Sequence, residues 1–120
     1  MLTGELYAAF DPALLAARTR AKRLLHRLNV TEYLLTDVAR AVLAELLPHV
    51  GENLMLSCPF AATTGVIFTA ATYVYCNVNC VVLDAARVTI GSNVLFGPGV
   101  QLYAATHPLD AEVRRPLELA

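Results

Sequence analysis

Few side chains in this sequence could do chemistry, and their types narrow what that chemistry would be. His107, in the stretch ATHPLD, carries an imidazole, which exchanges a proton near neutral pH and so can act as a general acid or base. Cys58, Cys76 and Cys80 offer thiols, as nucleophiles or metal ligands, but no complete ligand set accompanies them and His107, so no metal is expected. Asn77 has an amide that both donates and accepts, which suits hydroxyl-rich ligands and the corner of a repeating coil equally. Asp84 suits a turn, where a carboxylate accepts from the backbone. Residue type alone decides none of these. A lone histidine is more often a bystander than a base, so the elements around it must carry the argument.

Those elements fall into two halves. Asp11 followed by Pro12 reads as an N-cap with proline at the first helical position, where its missing donor is harmless. Leu14, Leu15, Ala21, Leu24, Leu25 and Leu28 recur at helical spacing, Asn29 can stop the helix, and the cations Arg18, Arg20, Lys22, Arg23 and Arg27 read as a solvated face. Thr36 and Asp37 offer a second cap ahead of Val38, Ala39, Val42, Leu43, Leu46 and Leu47, a stripe that must end near Pro48. Helices are therefore expected over 11–28 and about 37–47. The division falls at a helical N-terminal domain, 1–52, and a second domain, 53–120, whose six-residue period makes it an incomplete β-helix.

Composition excludes several classes of function. With 57% hydrophobic and 16% charged residues in 120, the chain is far too apolar to be disordered. So short a chain leaves roughly a third of its unfolded surface exposed after folding, so this excess implies oligomerisation or a longer whole. A net charge of -1 gives no field for nucleic acid or an anionic membrane. No charged residue lies between Glu52 and Asp84, yet Pro59, Asn77, Asn79 and four Thr interrupt that stretch and no Lys or Arg cluster flanks it, which argues against a membrane span. MLTGELY shows no basic start followed by an apolar run, and three cysteines without disulfide spacing suit a reducing cytoplasm.

After Gly51 the period is six. The hexads run AATYVY, CNVNCV, VLDAARVT with two extra residues, IGSNVL, FGPGVQ and LYAATH. Their first positions are Ala70, Cys76, Val82, Ile90, Phe96 and Leu102, and their fifth are Val74, Cys80, Ala86, Val94, Val100 and Thr106. Each hexad makes one short strand and a corner, and three close a triangular coil of about eighteen residues with both slots inside and small residues such as Gly91 and Gly97 at the turns. The fold expected over 70–106 is a parallel β-helix of about two coils; ordinary hairpins with NV and PG turns are the alternative. In this scheme Cys76 and Cys80 are core.

GELYAAFDP, LLHRLN, VGENL, CNVNCVVLD, VTIGSNVLFGPGVQLY and ATHPLD, in this order, resemble the maltose and galactoside O-acetyltransferases, including the nodulation-type sugar acetyltransferases, over essentially all 120 residues. The resemblance implies a mainly β fold, a left-handed parallel β-helix preceded by a short α-helical N-terminal domain. It implies a homotrimer that moves an acetyl group from acetyl-CoA, as co-substrate, to the hydroxyl of a sugar acceptor. The left hand comes from the family, since a six-residue period does not fix it. His107 matches the catalytic histidine, a general base for a direct transfer without an acyl-enzyme. Asn77 matches a contact to acceptor hydroxyls, Asp84 lies near the acceptor cleft, and Tyr7 and Asp11 fall where relatives cover that pocket.

The chain also departs from the pattern. Between Phe60 and Tyr73 relatives carry a polar CDYGYN-like stretch and an IGDN-like hexad, where this chain reads AATTGVIFTAAT. Gly65 survives, Thr63 stands at a sugar-contacting Ser or Asp, and Ala70 and Ala71 replace the Ile-Gly pair. PLELA from Pro116 stops where relatives continue with Lys-Pro and further coils, so the residues that bind acetyl-CoA are expected beyond Ala120, and the resemblance implies an enzyme cut short and impaired. No Gly-rich loop or basic cluster replaces that phosphate site. The alternative function is a non-catalytic trimerising or binding remnant of the family.

Overall fold

The structure is a computed structural model and describes residues 10–31 and 36–119. Helix α1, Pro12–Asn29, starts where Asp11 accepts hydrogen bonds from the backbone N–H groups of Ala13 at 2.9 Å and Leu14 at 3.3 Å. Helix α2, Asp37–Leu46, starts under Thr36, whose hydroxyl accepts from Ala39 N at 3.2 Å, and ends ahead of Pro48. Both helices lie where apolar spacing and caps predict them. Tyr7 lies outside the described residues.

Eight short strands follow: β1 Met55–Leu56, β2 Phe60–Ala62, β3 Phe68–Ala70, β4 Tyr75–Cys76, β5 Cys80–Leu83, β6 Val88–Ile90, β7 Leu95–Phe96 and β8 Gln101–Tyr103. All their pairings are parallel, in three sheets of order β1-β4-β7, β2-β5-β8 and β3-β6. These sheets are the three faces of a left-handed parallel β-helix. Helix α3, Ala111–Leu119, closes the described chain.

Register corrects the repeat. Leu56 pairs with Cys76 and Cys76 with Phe96, so one coil takes twenty residues, the eighteen of three hexads and the two extra. The coil also begins earlier than 70, since β1, β2 and β3 form a first turn in the stretch with the weakest repeat. Inward residues stack in columns: Val50–Ala70–Ile90, Leu56–Cys76–Phe96, Ala62–Val82–Leu102 and Phe68–Val88. The inward slot expected at Ala86 belongs to Val88, because the extra residues widen the corner between β5 and β6 and delay the next inward position. Thr106 is exposed and lies beyond β8.

Of the expected interior, Val82 is buried, whereas Ile90, Val94, Phe96, Val100 and Leu102 are half-buried and pack against the core from below. The other end is covered. Leu24, Leu28, Val42 and Leu46 from the helices join Leu56, Phe60 and Phe68 in one apolar cluster, so helices and coil share a core. Asn29 fastens the two parts: its amide donates to Phe60 O at 2.9 Å and accepts from Phe60 N at 3.0 Å, pairing with the free edge of β2 as a strand would.

Tight corners need left-handed backbone. Asn53, Tyr73 and Asn93, spaced one coil apart, have φ of 61°, 59° and 59°, and Asn79 and Gly99 repeat the device one corner away at 62° and 71°. Asn and Gly tolerate this conformation, and Tyr73 is the exception.

Candidate active site

The wide corner between the second and third faces holds two of the residues singled out from the sequence. In the first coil it comprises Thr63, Thr64 and Gly65, and in the second Asp84–Arg87. His107 is exposed and lies four residues past β8, the third strand of the face that ends at this corner. Asn77 follows β4 and sits at a different corner, where its side chain accepts from Val78 N at 2.8 Å. At about 3.3 Å per residue, the face between Asn77 and Asp84 is roughly 20 Å long, so one chain does not bring Asn77 to Thr63 and Asp84.

Asp84 is 0% exposed. One carboxylate oxygen accepts from Thr63 N at 2.9 Å and Thr64 N at 2.8 Å, and the other accepts from the Thr64 hydroxyl at 2.6 Å. Three short bonds to a charged acceptor offset the cost of burying it and hold the first-coil corner in shape. Gly65 completes that corner with φ of 75°, and a Cβ there would lie 2.2 Å from Leu46 O. The corner therefore presses directly on the end of α2, which only a residue without a side chain permits.

Thr63, held at its backbone by Asp84, faces α1 across a cleft of about 400 Å³ lined by Leu15, Arg18, Thr19, Lys22, Ala62 and Thr63. Arg18 and Lys22 thus border a cavity, where the sequence predicts only a solvated face. Leu15, Arg18, Thr19 and Lys22 stand at i, i+3, i+4 and i+7, one helix face, and that spacing is the signal by which they could have been found.

The thiols lie elsewhere. Cys76 and Cys80 are buried among the inward columns, and burial, with the neighbouring Cys80 as a smaller cause, pushes the Cys76 thiol up to about 12. Burial also raises Cys58, whose Sγ points to Leu28 O at 3.7 Å. A thiol held protonated is a poor nucleophile and a poor metal ligand. No helix among the described residues is long and apolar enough to cross a membrane.

A hexapeptide-repeat β-helix under a helical cap, with polar residues gathered at its corners, defines the class of protein. Comparison with known proteins then narrows it. Residues 1–51 match the maltose acetyltransferase hexapeptide capping motif. Nodulation protein L of Rhizobium meliloti is 39% identical over 115 residues, 96% of this chain and 63% of that protein. The crystal structure of a maltose O-acetyltransferase from Clostridium difficile superposes with a TM-score of 0.91 at 30% identity, over 96% of this chain and 62% of that one. A galactoside acetyltransferase in complex with coenzyme A superposes with a TM-score of 0.89 at 29% identity, over 95% of this chain and 57% of that one. The chain is a relative of the maltose and galactoside O-acetyltransferases, as its motifs imply, and spans about 60% of the length of the proteins it matches.

Proposed function

We propose that this chain is the N-terminal part of an acetyl-CoA-dependent sugar O-acetyltransferase in which His107 is the general base. The observation that carries the reading is the close match of its coils to a galactoside acetyltransferase solved with coenzyme A; an exposed His107, four residues past β8, supports it. A sugar hydroxyl is a weak nucleophile at neutral pH. In the proposed step an imidazole nitrogen of His107 takes the hydroxyl proton as the oxygen attacks the thioester carbonyl. The C–S bond then breaks, and CoA leaves as the thiol with the proton returned by the imidazolium. Thr63 and Asn77 bind acceptor hydroxyls, and Asp84 serves the acceptor through the Thr63–Thr64 corner that it holds.

Asn77 meets the others only in an assembly. In a homotrimer one subunit's Asn77 corner can face the wide corner of its neighbour, which places all four residues around one acceptor. The outward column Met55–Tyr75–Leu95 favours such packing, since Leu95 is 77% exposed and Met55 54%. Three cysteines without disulfide spacing support a reducing compartment such as the cytoplasm.

The second reading, a trimerising or binding remnant of the family without turnover, makes a different demand on cofactor binding. Calorimetric titration with CoA separates the two. Saturable binding at micromolar concentration supports the enzyme, and no heat up to millimolar CoA supports the remnant. Given activity, His107→Ala is expected to lower the rate by roughly 100- to 10,000-fold while leaving CoA binding unchanged. Near-parental turnover by that variant would remove His107 from the mechanism.

A further inference from the structure

We propose that the cleft between α1 and the first-coil corner selects an anionic sugar, one bearing a carboxylate or a phosphate, over a neutral one. The proposal rests on the acetyltransferase reading for the word acceptor, but binding is read without turnover. Its basis is the imbalance of polar groups on the cleft wall. Among the described residues, those that line the cleft, Leu15, Arg18, Thr19, Lys22, Ala62 and Thr63, include two cations and two hydroxyls and no carboxylate or amide. Guanidinium and ammonium groups only donate, so acceptor capacity there is confined to the threonines. A neutral sugar presents hydroxyls that donate as well as accept, whereas a carboxylate or phosphate offers acceptor oxygens alone and fits such a wall.

Charge points the same way. Helix α1 carries Arg18, Arg20, Lys22, Arg23 and Arg27 and no acidic residue between Pro12 and Asn29, and Asp11, the exposed carboxylate ahead of it, is bonded to Ala13 N and Leu14 N. Glu45 is engaged with Arg20 through a 3.9 Å ion pair. Asp84, behind Thr63, is buried and bonded to Thr63 and Thr64. Arg18 makes an interaction of its own, so the exposed Lys22 is the cation on which selectivity is tested. A volume of about 400 Å³ is ample for one sugar ring, and Leu15, 42% exposed, offers an apolar contact for its C–H face.

The experiment is calorimetric titration of the chain at low ionic strength, where surface charge is least screened, with galactose, galacturonate, galactose 6-phosphate and inorganic phosphate. The charged sugars are expected to bind about tenfold more tightly than galactose. Lys22→Gln should reduce their affinity by about three- to fivefold and leave galactose unchanged, as befits one partly exposed ion pair. Thr63→Val should weaken all three sugars. Circular dichroism melting of both variants at the parental temperature excludes a folding effect. Galactose bound as tightly as the charged sugars would overturn the charge selectivity and leave the acetyltransferase reading standing. Inorganic phosphate bound as tightly as galactose 6-phosphate would show attraction for any anion and overturn the sugar site. No binding of any sugar would overturn both this proposal and the cleft as acceptor site, with the CoA titration still able to judge the enzyme.

Discussion

Replacing Asp84 by Ala strips the first-coil corner of the carboxylate that holds Thr63 and Thr64. Thr63 N keeps a second acceptor, Val82 O at 3.1 Å, but Thr64 N and the Thr64 hydroxyl are left buried without the partners they have at 2.8 and 2.6 Å. A hydrogen bond to a charged group contributes about 1.5–3 kcal/mol, and a buried donor left unpaired costs about 1–3 kcal/mol. Two such losses, less what entering water recovers, put the destabilisation at about 3–5 kcal/mol. That is a large share of the roughly 6–18 kcal/mol expected for a chain of this length. Asp84→Asn keeps an oxygen for the two backbone donors and an amide that can donate to the Thr64 hydroxyl, so it should cost only about 1–2 kcal/mol. Urea unfolding followed by circular dichroism measures both. An alanine variant within about 1 kcal/mol of the parent, or an asparagine variant less stable than the alanine one, would refute the claim that these bonds hold the corner.

Gly65→Ala should destabilise by about 2–5 kcal/mol, because it adds left-handed strain and a backbone clash, whereas Gly99→Ala, which has the same backbone hand and nothing within 4 Å, should cost only about 1–2 kcal/mol; equal urea midpoints would disprove the contact with α2. Tyr73→Asn should raise the melting temperature by several degrees, since φ of 59° costs tyrosine about 1 kcal/mol that asparagine largely escapes, and the neighbouring coils use Asn53 and Asn93 at that place. For Cys76 the folded chain favours the neutral thiol, so its contribution is fully present below the unfolded value of about 8.5 and is lost as pH rises through the folded value of about 12. Melting temperature should therefore fall over that alkaline window, and Cys76→Ala should flatten the fall.

Much of this architecture is legible in one dimension because it rests on short-range rules. Asp11 with Pro12 and Thr36 with Asp37 mark helix starts through bonds made within one turn, and the inward residues recur because every coil passes the same three faces. Helix α3 is not legible in the chain although Asp110 accepts from Glu112 N at 2.8 Å like other caps, since Pro116 inside it reads as a breaker. The strands of the first coil are hard to bound in the chain because AATTGVIFTAAT carries no clear hexad before Ala70, and pairing to β5 and β6 fixes β2 and β3.

Residue order alone settles the pair of helices, the hexad, the inward placement of Cys76 and Cys80, and a short set of candidate polar residues. Tertiary structure alone decided the relations among them. A period states which residues share a face but not which coil lies above which, so the twenty-residue register and the move from Ala86 to Val88 required the strand pairings. Composition cannot tell a solvated cation from one at a cleft, and Arg18 and Lys22 border a cavity only because the Thr63 corner crosses in front of α1. Asp84 reads equally as ligand or turn residue in the chain, and its burial against Thr63 and Thr64, twenty residues away, reveals the bonds that hold it.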